Sequence, residues 1–133
     1  MWGKRWLERI EAHDPQPIVS AIDAVHGTAA HQRLDPETAR KALAASEVVA
    51  ASVGRPSSAL PANAHRLATR CADVLRPLQA RARAAVDRIR AERGPTADVR
   101  DLYDEPDGWS EHADADARDW RTEMDLLSMR LAD

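Results

Sequence analysis

After Pro36 the chain runs ETARKALAASEVVAASV without Gly or Pro, and its small apolar positions recur three and four residues apart. Ala39, Leu43, Ser46, Ala50 and Val53 share one helical face, and Ala42, Ala45, Val49 and Val53 share the next. An apolar surface that wide, built from small side chains, suits a helix packed closely by neighbours on two sides. Its start is marked by Asp35, which can accept from the free amides of the first turn, by Pro36, and by Glu37 near the positive end of the dipole. Gly54 can take the left-handed conformation that ends a helix, and Pro56 blocks a restart. This stretch is predicted to be the central helix.

The same reading orders the rest. An opening helix is predicted over about Trp2 to Ala12, with Trp2, Trp6 and Ile10 on one face. Asp14 and Pro15 form a cap, and the stripe Ile18, Ile22, Val25 ends at Gly27. Thr28 to Leu34 is a connector, with Leu34 packing inward ahead of Asp35. Pro56 to Pro61 is a loop. A short helix follows through about Ala72, with Leu67 and Cys71 facing inward. A longer one runs from Leu75 to Arg93, with Pro77 either between the two or in the first turn of the second. Leu75, Leu78, Ala82, Ala85, Val86 and Ile89 keep its apolar spacing, and Arg76, Arg81, Arg83, Arg88 and Arg90 fill the remainder.

Gly94-Pro95 is a firm stop. Asp98 to Tyr103 is read as one or two turns, and Glu105-Pro106-Asp107-Gly108 as a turn. The last helix is predicted over about Trp109 to Leu131, on the stripe Trp109, Ala113, Ala117, Trp120, Met124, Leu127, Leu131. No stretch alternates in the manner of a strand. The fold class is therefore all-α: a single domain over residues 1–133, with six or seven helices around the Ala-rich one.

Length supports one core rather than two, since 133 residues leave little for a second domain. With 44% hydrophobic and 31% charged residues, the composition is that of a folded chain. No apolar run approaches the roughly 20 residues that cross a bilayer, and the N-terminal stretch has no apolar core of a secretory signal. Cys71 is alone, so no internal disulfide can form, and a cytoplasmic setting is expected. Lys is nearly absent beside Arg, a bias attributed here to a GC-rich genome.

Charge changes the picture more. Residues 62–97 carry eight Arg against three acids, and residues 98–133 carry twelve acids against four Arg. Either the basic and acidic parts neighbour each other in the fold, or the acidic end meets a basic partner.

The pieces together resemble a bacterial family, domain of unknown function 4259. Trp6-Leu7 matches its early Trp-Leu pair. Ala44 to Ala51, then Gly54-Arg55-Pro56-Ser57 and Leu60-Pro61, match its Ala-rich helix and the loop that follows. Arg83-Ala84-Ala85-Val86-Asp87-Arg88 matches its basic helix, Leu102-Tyr103 its Leu-aromatic turn, and Trp120 to Leu131 its Leu-rich end. The likeness covers nearly the whole chain. Members of that family usually begin with a Gly-Trp-Gly segment and a short acidic stretch before the first helix; here only Met1-Trp2-Gly3 precedes Lys4-Arg5, without the acidic stretch. The resemblance implies no settled activity.

Candidate chemistry is sparse. His13, His26, His31, His65 and His112 form no HxH or HExxH pair, and metal ligands must converge at about 2.0–2.2 Å, so no metal site is assigned. Cys71, spaced helically from Leu67 and Leu75, reads as a structural thiol rather than a nucleophile. Ser57 and Ser58 have no base near them in sequence, and no phosphate loop or cofactor motif is present. No catalytic residue is assigned. The arginine-rich helix invites nucleic acid, but an acidic chain is a poor match to phosphate, so no nucleic-acid or membrane partner is expected. The four Trp are read as core.

The acidic cluster Asp101, Asp104, Glu105, Asp107 and Glu111 brackets a turn carrying Tyr103 and Trp109. It lacks calcium-loop spacing. Acids around aromatic anchors read either as a solvated face or as a contact surface for a basic protein. These seven residues are the candidate partner-binding site. The expectation is a small non-enzymatic protein-binding domain, of immunity or antitoxin type, that covers a basic partner. The alternative is a ligand-binding or catalytic helical bundle with a pocket between helices near His26, Tyr103 or His112. Self-association through an Ala-rich face is a weaker third reading.

Overall fold

The computed structural model describes residues 2–93 and 121–132, and all of its regular structure there is helical. The elements are α1 (Lys4–Arg9), α2 (Gln16–His26), α3 (Pro36–Ser52), α4 (Ala62–Arg70), α5 (Ala72–Leu75), a 3₁₀ turn (Arg76–Leu78) and α6 (Gln79–Arg93). Residues 121–130 form a further helix, α7. No strand occurs among the described residues. The all-α reading holds, and α3 is the hub: α1, α2, α4, α5 and α6 all pack against it.

The start of α3 follows its sequence signals. The Asp35 carboxylate accepts from the backbone N–H of Thr38 at 3.2 Å, and Pro36 opens the helix where a missing N–H costs nothing. Its end is a Schellman motif. Gly54, at φ +86°, donates to the Ala51 carbonyl at 3.0 Å, and Arg55 donates to that of Ala50 at 2.9 Å. Between these caps, every residue from Ala42 to Ala50 is buried. Alanine makes this crowding workable, because a methyl lets neighbouring backbones approach closely. Gly3 shows the limit: a Cβ built there would lie 2.6 Å from the Ala44 Cβ.

Gly3 also corrects the opening helix. Its φ of +63° ends regular structure on the N-terminal side, so Trp2 is buried but stands outside α1, which stops at Arg9. Two further boundaries move. The stretch from Cys71 to Leu78 is a four-residue helix and a 3₁₀ turn, with Pro77 inside the turn and α6 beginning at Gln79. Cys71, expected to face inward, is half-buried at the α4–α5 junction, with its Sγ 3.9 Å from the His13 carbonyl. The stripes Ile18, Ile22, Val25 on α2, Ala82, Ala85, Val86, Ile89 on α6 and Met124, Leu127, Leu131 at the C-terminal end are buried as their spacing requires.

Candidate functional site

The seven residues proposed for partner contact, Asp101, Tyr103, Asp104, Glu105, Asp107, Trp109 and Glu111, lie outside the described residues, as do His112 and the turns at 98–108. What the structure does show is the frame on either side of them. It is held by arginines.

Arg88 on α6 is the centre of one assembly. It donates to the carbonyls of Val25 (2.9 Å), Thr28 (2.7 Å), Ala29 (2.8 Å) and Gln32 (2.9 Å), and its Nε lies 3.4 Å from the Glu92 carboxylate. A guanidinium has five N–H groups in a planar fork, and these contacts use all of them. Glu92 also accepts from the backbone N–H of Leu34 at 3.1 Å. One helical turn of α6 thus holds the end of α2 and the connector from Thr28 to Leu34. Beside it, Arg81 pairs with Asp23 at 2.6 Å, and His26 Nε2 donates to the Arg81 carbonyl at 3.0 Å.

The second assembly surrounds the end of α7. Arg130 meets Glu47 through two hydrogen bonds, 2.9 and 3.2 Å, and also donates to the Arg55 carbonyl at 3.3 Å. Arg55 returns the contact by donating to the carbonyls of Arg130 and Ala132, while Gln79 donates to those of Leu131 and Ala132. These satisfy carbonyls that the end of a helix leaves without partners. Glu47 is fully buried on α3, and that burial pushes its carboxyl above the ordinary value; the Arg130 hydrogen bonds and charge pull the other way, and Glu123 adds to the rise. Ser128 donates to Asp87 at 2.7 Å and Arg90 pairs with Asp125 at 2.6 Å, tying α7 to α6 as well.

Other helix ends are treated alike. Asn63 on α4 donates to the carbonyls of Leu7 and Ile10 at the end of α1, and Arg76 donates to that of Ser52 at the end of α3. The arginine content, first attributed to genome composition, therefore has structural uses at Arg55, Arg76, Arg88 and Arg130.

Surface-open grooves among the described residues include two. One, of about 390 Å³, lies between Trp6, Ala21, Ala24 and the start of α3; the other, of about 380 Å³, runs between α6 and α7 beside Arg90, Met124 and Asp125. Neither is lined by a histidine. Among the described residues no three His, Cys, Asp or Glu side chains gather as metal ligands would, and no helix is long and apolar enough to cross a membrane.

A family model described as Domain of unknown function (DUF4259) matches residues 3–121. The chain belongs to the DUF4259 family. No curated protein and no solved structure matches it. The DUF4259 match takes in the Arg88 assembly, Glu47 and Arg55, and ends at the first described residue of α7, so Arg130 stands beyond it. Sequence reading missed Glu47, Arg88 and Arg130 as organising residues. A signal existed for the first: Glu47 is the lone charge between Ala42 and Gly54.

Proposed function

We propose that this DUF4259 protein is a small non-enzymatic protein-binding domain of immunity or antitoxin type, in which the acidic part of the C-terminal third covers a basic partner. The observation that carries this reading is where the α6 arginines go. Arg88 is saturated by the carbonyls of Val25, Thr28, Ala29 and Gln32 and by Glu92, Arg81 meets Asp23, and Arg90 meets Asp87 and Asp125. These guanidiniums already have partners in the helical frame, whereas residues 94–120 contain nine Asp and Glu against two Arg. A basic surface would neutralise that excess, and Tyr103 and Trp109 among the acids suit the aromatic anchors of such a contact.

The test is capture from a lysate of the native host by the tagged protein, washed at low and then moderate salt, with mass spectrometry of what stays bound. The reading expects one stoichiometric protein, released as salt rises, and no capture by the variant D101K/D104K/E105K with helicity unchanged by circular dichroism. Equal capture by that variant would remove the acidic surface from the account.

A further inference from the structure

The apolar contacts of α7 do not define where it sits along its own axis. Among the described residues, Met124 and Leu127 on α7 and Leu131 just after it are buried apolar side chains, three and four residues apart. α3 and α6, which Arg130 and Ser128 tie to α7, are rich in buried alanines, among them Ala45 and Ala50 on α3 and Ala82 and Ala85 on α6. Apolar burial is non-directional. A shift of one helical turn, about 5.4 Å, moves Leu127 to where Met124 or Leu131 had been and again buries a stripe of similar side chains.

Glu47 breaks this degeneracy. Its carboxylate is fully buried, and Arg130 meets it through both terminal nitrogens. The reciprocal bonds of Arg55 and the two from Gln79 fall on the same three residues, Arg130 to Ala132. In any shifted register the carboxylate would be left without its guanidinium in a dry interior. The four carbonyl contacts, Ser128–Asp87 and Arg90–Asp125 would be lost too, but Asp87 and Asp125 are 46% and 57% exposed and can turn to water. Apolar isosteres of such a pair commonly stabilise a fold as well or better, while a buried polar pair can fix register. The geometry points to Glu47–Arg130 as a register lock: it determines the position of α7 against α3 and α6, and contributes little to how tightly α7 is held. The lock is independent of what the acidic residues bind.

The variant E47M/R130M tests this. Spin labels at E37C and M129C in a C71S background report the axial position of α7, since Glu37 and Met129 are exposed, 66% and 67%. The parent should give one narrow distance. The double variant should match or exceed the parent in urea midpoint and add a population displaced by about one helical turn. An unchanged single distance would show that packing alone sets the register and would overturn the proposal. A double variant that fails to fold would overturn it too, because the pair would then be a stabiliser. R130K keeps the charge but not the two-pronged fork, and should broaden the distribution; an R130K distribution identical to the parent's counts against the lock.

Discussion

Arg88 and Arg130 are equally exposed, each with 22% of its side chain open to solvent, yet they secure their neighbours by different means. Arg88 gathers neutral carbonyls from the end of α2 and the connector, and its carboxylate partner Glu92 keeps 18% exposure. Arg130 gathers one carboxylate, Glu47, with none. The difference teaches what each arginine leaves behind when it is removed. Carbonyls near the surface can turn to water. A buried carboxylate cannot.

The sharpest way to break that comparison is to remove each arginine alone. R130M leaves Glu47 charged and unpaired, or forces it to take a proton, and should lower the unfolding free energy by about 3–5 kcal/mol in urea titration. R88M removes more hydrogen bonds but strands no buried charge, and should cost about 2 kcal/mol, with faster hydrogen exchange at amides from His26 to Leu34 and little change in α3. Equal losses for the two variants would mean that the number of bonds, and not the burial of charge, sets the cost.

The pH dependence sharpens the same point. Burial raises the Glu47 carboxyl above its ordinary value of 4.5, so ionisation of this group opposes folding. Its contribution is fully present below the unfolded-state pKa and declines as pH rises through the raised folded value. The stability of the parent relative to E47Q, which does not titrate at this position, should therefore fall as pH increases upward from about 4.5, by at most about 1.4 kcal/mol for each pH unit crossed. A difference that grows with pH would show that Arg130 overcomes the burial and holds the carboxyl below its ordinary value.

What the sequence made legible divides along the same line. Signals that act within a few residues were read well: Asp35 capping Thr38, Pro36 in the first turn, Gly54 closing α3, and the apolar stripes of α2 and α6. The start of α1 lies later than its apolar spacing suggests because Gly3 takes a positive φ and packs tightly against Ala44, 41 residues away in sequence. The Arg88 assembly was not legible at all. Its carbonyl acceptors lie 56–63 residues from it, and a carbonyl has no residue type to announce it. Glu47 was passed over because glutamate in a helix is ordinarily at the surface. The candidate contact residues from Asp101 to Glu111 rest on charge and aromatic content alone, since they lie outside the described residues.

The smallest effect should come from an ion pair that looks strong by distance. Arg90 and Asp125 approach to 2.6 Å, closer than Arg130 and Glu47, and they also join α6 to α7. Their side chains, however, are 39% and 57% exposed. Water screens the attraction, and ordering two long side chains offsets part of what remains. D125N should therefore cost only about 0.2–1 kcal/mol in urea titration at low salt, and less at high salt. Arg90 also keeps its contact with Asp87, 3.0 Å away, so no charge is stranded. If D125N instead costs as much as R130M, and keeps that cost at high salt, then burial is not what separates these pairs. The docking of α7 would then depend on charge at the α6 edge as much as on Glu47 in the interior.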